Sequence, residues 1–154
     1  MGSLKKGESK YPAKTNKTPR ALFKTKKPKK PKAKPEWKLQ AAVVSDFHKL
    51  QDAGWEFEFA GDMNAGKRNG SRAKLTGLKA GEPDIRVYLP GARLKMIELK
   101  TEDGVVSDAQ TKRHKKLRTL GFEIEVVYAA TERDAVEQCN GILSYWIEEG
   151  GTVH

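Results

Sequence analysis

The apolar positions at the start of the folded region change from the period of a helix to that of a strand. A helical spacing is shared by four apolar residues: Leu39, Val43, Phe47 and Leu50. This spacing predicts a helix over residues 36–53, and Gly54 is a natural stop for it. Directly afterwards, Trp55, Phe57 and Phe59 alternate with glutamates, which predicts a half-buried strand.

Two short apolar runs separated by a turn dipeptide predict a β-hairpin. The runs occupy residues 84–89 and 94–100, and the Pro90-Gly91 pair between them is typical of a tight turn. The preceding stretch, residues 61–81, is rich in glycine, asparagine and lysine and has no period. It therefore predicts a long loop, and long loops inside compact domains are often functional.

A capping pattern marks the start of a second long helix. Ser107 is a predicted N-cap, and Gln110 three residues later completes a capping box. This helix is expected to run to about Leu120, because Gly121 fits a C-terminal cap. Residues 124–128 follow as an apolar strand.

The C-terminal part predicts two further helical segments. Thr131 is expected to cap a helix that runs through about Cys139, and the apolar residues 142–147 are expected to pack as a last helix. Cys139 itself is expected to be a small buried apolar residue. The order of elements, αβββαβα, places the domain in the α/β class.

The net charge of +10 belongs to one end of the chain. Residues 1–35 contain 13 Lys or Arg and one acid, whereas residues 36–154 contain 17 Lys or Arg and 19 acids. Like-charge repulsion and several prolines predict a disordered basic tail over the first range and a folded domain over the second. The tail could be a solubilising extension, but an electrostatic arm for nucleic acid is favoured, because 13 cations in one block exceed what solubility needs.

Composition and length exclude several classes of protein. No apolar run approaches the roughly 18 residues of a membrane span, and the N-terminus lacks the apolar core of a secretory signal. A single cysteine excludes an intramolecular disulfide framework and a cysteine-cluster zinc site. No glycine-rich phosphate loop is present, so no nucleotide cofactor is expected. We therefore expect a soluble, cytoplasmic protein of a bacterial or virus-infected cell.

Asp84, Glu98 and Lys100 are the residues with the clearest chemical pattern. Glu98 and Lys100 lie two residues apart in one predicted strand, so their side chains share a face. Asp84 opens the other strand of the hairpin, and the start of one strand lies beside the end of its partner. The alternative is a salt-bridge patch on a solvated face, since a Glu-x-Lys pattern alone is weak and residues 36–38 also match it.

Two carboxylates at one point require positive charge near them. Lys100 supplies one charge, and a divalent cation is the favoured second. Hard oxygen ligands suit Mg²⁺, with Mn²⁺ as a substitute. Such an ion activates water and polarises a phosphoryl oxygen, while a lysine ammonium neutralises developing negative charge. The pattern therefore predicts phosphodiester hydrolysis.

Three motifs carry a resemblance to a known family. They are Gly-Glu-Pro-Asp at 81–84, Ile-Glu-Leu-Lys at 97–100 and Gly-Val-Val-Ser-Asp-Ala-Gln at 104–110. Together they resemble the VRR-NUC family of the PD-(D/E)XK nuclease superfamily, over about residues 36–140. The resemblance implies a restriction-endonuclease-like core, with a mixed β-sheet flanked by helices, and metal-dependent DNA endonuclease activity.

The resemblance also implies roles for single residues. The implied metal ligands are Glu36, Asp84, Glu98 and the carbonyl of Leu99. The implied catalytic residues are Asp84, Glu98, Lys100 and Gln110. Glu36 matches an acid on the first helix of the family, and Lys100 matches its catalytic lysine. Gln110 matches a polar residue near the scissile phosphate, although the capping box is an alternative explanation for it.

Basic residues flank these positions on both sides. In the predicted loop they are Lys67, Arg68, Arg72, Lys74 and Lys79. On the helix after Gln110 they are Lys112, Arg113, Lys115, Lys116 and Arg118. Either set could be a solvated face, but the placement favours contacts with phosphates. Trp37, Trp55 and Trp146 are expected to pack in or beside the core, with base stacking as an alternative for Trp37.

The favoured substrate is branched DNA, such as a Holliday junction, cut by a homodimer as the resemblance implies. A dimer places two sites on two strands, which one short chain cannot do alone. The alternatives are a nicking or end-processing nuclease on duplex or flap DNA, and a non-catalytic nucleic-acid-binding protein. Phage growth, recombination or DNA repair could each use such a nuclease.

Overall fold

A mixed β-sheet organises the part of the chain that the computed structural model describes, residues 35–62 and 70–151. In chain order the elements are α1 (Glu36–Asp52), β1 (Glu58–Gly61), α2 (Gly70–Leu75), β2 (Ile85–Leu89), β3 (Arg93–Thr101), α3 (Asp108–Thr119), β4 (Glu123–Ala129) and α4 (Glu132–Gly150). The strands lie in the order β1-β2-β3-β4, with β1, β2 and β3 antiparallel and β4 parallel to β3. Helix α3 forms the crossover that a parallel pair requires. The predicted α/β class and mixed sheet are confirmed.

The β2–β3 hairpin is staggered, and this stagger shapes the site. The strands are joined through Pro90, Gly91 and Ala92, and their pairing ends where Ile85 faces Ile97. Strand β3 continues for four more residues, which pair only with β4. One side of residues 98–101 is therefore open to groups that lie before the start of β2.

The two faces of the sheet carry different layers. Helices α1 and α4 cover one face, where their apolar residues pack with Ile97 and Leu99 of β3 in the main core. Helix α3 covers the other face through a small cluster of Met96, Leu117 and Ile124. Because neighbouring residues of a strand alternate between faces, Glu98 projects towards α3.

Two sequence predictions of secondary structure are wrong. The predicted loop over residues 61–81 contains helix α2, which is too short to show a hydrophobic period. The two predicted C-terminal segments form one helix, α4, that continues through Asn140 and Gly141. A single buried face of Ala135, Cys139, Leu143 and Trp146 runs along it, and its burial outweighs the cost of about 1 kcal/mol for an internal glycine.

Some predictions fall outside the described residues. They are the basic tail, apart from Pro35, and the loop positions Lys67 and Arg68.

Strand β1 is shorter than predicted, since Trp55 precedes it, and the rings of Phe57 and Phe59 each lie 5.4 Å from that of Phe47. Within residues 35–62 and 70–151, no helix has the length and apolar content needed to cross a bilayer.

Cys139 is expected to resist thiol reagents in the folded protein. Its side chain is fully buried in α4, and burial, together with the nearby Asp46, raises the pKa of the thiol to about 12. The thiol therefore stays protonated at about pH 8, and labelling by a chromogenic disulfide reagent is expected to be roughly 100-fold slower than in guanidinium-unfolded protein. Equal labelling rates in the two states would contradict this placement of the helix.

Candidate active site

Asp84 is tied to the second strand of the hairpin through the backbone of that strand. Its Oδ2 accepts a hydrogen bond of 2.7 Å from the backbone N–H of Leu99, at the open side of β3. Its backbone carbonyl accepts from the N–H of Asp62 and from Nε2 of Gln40, at 2.7 and 3.2 Å. The carboxylate is thus held beside the Glu98–Lys100 segment by the stagger of the strands.

Glu98 is a fully buried carboxylate with uneven hydrogen bonding. Its Oε1 lies 3.2 Å from Nζ of Lys100 and accepts a 2.6 Å hydrogen bond from Nε2 of Gln110. Its Oε2 is buried without a hydrogen-bond partner. Burial first, and then the negative charge of Asp84, raise the pKa of Glu98 to about 7, against the opposing effect of Lys100.

Lys100 joins two acids that lie far apart in sequence. Its Nζ is 3.2 Å from Oε1 of Glu98 and 3.2 Å from Oε2 of Glu36, at the start of α1. Burial alone would lower the pKa of Lys100, but the two carboxylates outweigh it and raise that pKa above its ordinary value. The group is therefore an ammonium ion. Glu36 contacts the site through Lys100.

The folded region matches a known nuclease family. A family model described as the VRR-NUC domain matches residues 35–131, well over half of the chain. The chain belongs to the VRR-NUC family. The domain is therefore of the nuclease type found in the PD-(D/E)XK superfamily, for which DNA is the expected substrate.

Two solved structures resemble this VRR-NUC domain. One, described as a VRR_NUC domain protein, is 21% identical with a TM-score of 0.50, over 73% of this chain and 92% of its own. The other, described as a VRR_NUC domain, is 19% identical with a TM-score of 0.47, over 72% and 96% of the two chains. At this identity the first supports the fold alone. A search of curated proteins gives no match.

Gln110 of the VRR-NUC domain serves two structural purposes at once. Its side-chain Oε1 accepts from the N–H of Ser107, and its own N–H donates to the Ser107 hydroxyl, which completes the predicted capping box. Its Nε2 donates to Glu98. The helix cap and a place in the site are therefore compatible, because each uses a different atom of one amide.

His114 is a site residue that the sequence analysis missed. It lies one turn after Gln110 on α3, is 2% exposed, and places Nε2 3.5 Å from Oε2 of Glu98. Burial first, and then the charges of Arg118 and Lys100, lower the pKa of His114, which favours the neutral imidazole. The helical i, i+4 spacing from Gln110 was the available signal. Without the fold, nothing indicated that this face of the helix meets Glu98.

The basic residues of the two predicted sets have different surroundings. Arg113 donates a 2.6 Å hydrogen bond from Nε to Glu82, and so ties α3 to the segment that carries Asp84. Lys115 and Arg118 line a groove of about 610 Å³ between α3 and β4, which His114 also reaches. The remaining described members of the two predicted sets are exposed: Arg72, Lys74, Lys79, Lys112 and Lys116.

The acids of the site do not form a ready-made metal cage. Within residues 35–62 and 70–151, no three Asp, Glu, His or Cys side chains are grouped so that they could hold a metal ion. The available donors are the carboxylates of Asp84 and Glu98, with the backbone carbonyl of Leu99, the residue that follows Glu98. Lys100 stands between Glu98 and Glu36.

Proposed function

We propose that this VRR-NUC protein is a metal-dependent DNA endonuclease that hydrolyses phosphodiester bonds in branched DNA. The observation that carries the proposal is the meeting of two buried carboxylates, Asp84 and Glu98, with the ammonium of Lys100 at the open end of the hairpin. A buried group of this kind is costly to maintain for stability alone. It matches the charges needed for phosphodiester hydrolysis.

The residues present fit a magnesium ion. Mg²⁺ binds proteins through one or two carboxylates and completes its shell with waters and substrate phosphates, so a three-acid cage is not required. The buried Oε2 of Glu98 lacks a hydrogen-bond partner and is suited to a cation. Asp84, Glu98 and the Leu99 carbonyl would hold the ion, with Glu36 as a further acid, and Mn²⁺ could replace it. When bound, the ion supplies Lewis-acid activation of water and phosphate.

The other side chains prepare the site for this chemistry. Lys100 is placed to neutralise the charge that develops on the phosphoryl oxygens. Glu36 keeps that lysine charged and limits its motion. The hydrogen bond from Gln110 to Oε1 limits the orientation of the Glu98 carboxylate, and His114 lies 3.5 Å from its Oε2. The basic residues of α3 and of the segment before β2 would contact phosphates outside the site.

We propose a branched substrate because the family resemblance implies one. We propose a homodimer because the described part of one chain carries one such site, whereas resolving a junction requires cuts in two strands. The test compares a four-way junction, a flap and a linear duplex of equal length, with Mg²⁺, Mn²⁺ or EDTA. We expect the junction to be cut about tenfold faster than the duplex, with no cleavage in EDTA. Equal cleavage rates on all three substrates would contradict the proposed preference for branched DNA. An absence of cleavage with both metals would remove the enzymatic proposal and leave a nucleic-acid-binding protein.

A further inference from the structure

A cavity of about 430 Å³ opens directly beside the site. One wall is an apolar stripe on α1, formed by Trp37, Ala41 and Val44. The polar residues of the lining include Asp62 and Asp84. Because Asp84 belongs to both the cavity and the candidate active site, an occupant of the cavity would lie next to a phosphate being cleaved.

Trp37 is exposed, whereas the other two tryptophans are buried or partly buried. The residue is 65% exposed, whereas Trp146 is 1% exposed and Trp55 is partly buried against the core. The Nζ of Lys38 lies over the Trp37 ring, 5.8 Å from its centroid, so a cation is close to the indole. Packing in the described core therefore does not account for this indole.

The charge of the cavity indicates which part of a nucleotide it could take. Glu36, Asp62 and Asp84 line it. A phosphate could lie against these acids only where the Mg²⁺ proposed at Asp84 offsets their charge, and elsewhere in the cavity it would be repelled. A nucleobase is uncharged, presents a flat face to an indole, and carries amino and imino donors that suit carboxylate and carbonyl acceptors. The lining thus favours a base, with Lys38 beside it for the adjoining phosphate.

We propose that this cavity binds an unpaired nucleobase of the DNA substrate, stacked on Trp37. The inference rests on the proposed nuclease function and narrows its substrate class to DNA with an unpaired base at the cleavage site. A base inside a perfect duplex is paired and stacked on both faces, so it reaches the cavity only after it is unpaired and unstacked. A base at a bulge, a flap or a strained branch point is available at little cost.

The test measures stacking without cleavage. Full-length protein in EDTA is titrated with two duplexes of equal length, one perfect and one carrying a single bulged 2-aminopurine. We expect Trp37 to stack on the probe, so that 2-aminopurine fluorescence is quenched. Trp37→Ala should abolish the quenching and weaken binding of the bulged duplex about tenfold, whereas Trp37→Phe should retain most of the affinity. Tyr145→Ala, which removes an exposed aromatic ring from α4, is the matched control and should change neither.

Two results would overturn the inference. One is equal binding of bulged and perfect duplexes by the wild-type protein. The other is unchanged affinity and quenching in Trp37→Ala. Because binding is measured in EDTA, stacking without cleavage in the metal assay would refute the proposed function alone. Cleavage without stacking would refute the base cavity alone.

Discussion

Replacing Asp84 with asparagine is expected to lower the rate of metal-dependent DNA cleavage by roughly 10³-fold while leaving the fold intact. The asparagine Oδ1 can still accept the hydrogen bond from the Leu99 N–H, so the end of the hairpin keeps its geometry. The negative charge available to a cation is lost. Initial cleavage rates measure the loss of activity. The loss of metal binding is measured by the rise in thermal unfolding temperature on addition of Mg²⁺, which we expect in the wild type and not in the variant.

Lys100→Met separates the chemistry from metal binding. The variant keeps the length of the side chain but removes the ammonium between Glu98 and Glu36, so cleavage should fall by a similar factor. The rise in unfolding temperature on addition of Mg²⁺ should be retained, because Glu98 and Glu36 are still present and no longer have the Lys100 ammonium between them. Asp52→Asn is the control, because it removes one carboxylate at the far end of α1, about 24 Å along the helix. If the Asp84→Asn variant cleaves DNA at the wild-type rate, the site has been assigned to the wrong residues.

Gly81→Ala is expected to destabilise the protein by about 3 kcal/mol. Gly81 has a φ of 79°, and an added Cβ would lie 2.6 Å from the backbone N of Gln110 and meet the backbone of Ala109. The first turn of α3 would have to move, and Gln110 would move with it. The free energy of unfolding in urea measures the stability, and the cleavage rate of the folded fraction measures the displacement of the site.

Gly77→Ala is a closely matched control for this prediction. Gly77 also has a φ of 79°, but a Cβ there would meet nothing within 4 Å. Its cost should be only the backbone strain, about 1 kcal/mol, with unchanged cleavage. Equal losses for the two variants would show that the approach of Gly81 to α3 does not matter. If Gly81→Ala loses more stability than Gly77→Ala but cleaves DNA at the same rate, the approach of Gly81 to α3 matters for stability only.

The elements that the sequence predicts well are those with local signals. The period of the apolar residues predicts α1, the turn dipeptide predicts the hairpin, and the Ser107–Gln110 spacing predicts the cap of α3. The errors have equally local causes. Helix α2 is too short to show a period. Helix α4 was predicted as two segments, although Ala135, Cys139, Leu143 and Trp146 share one helical face across the division.

The pairing of Asp84 with the Glu98–Lys100 segment follows from local sequence signals, because strand alternation and a short turn place these residues side by side in a hairpin. The family resemblance assigned Glu36 and Gln110 to the site, but the contact of Glu36 with Lys100 across 64 positions, and those of Gln110 and His114 with Glu98, came from the fold. Those contacts depend on how α1 and α3 pack against the open end of the sheet. Helix packing is set by burial summed over many residues, which no single spacing in the sequence reports.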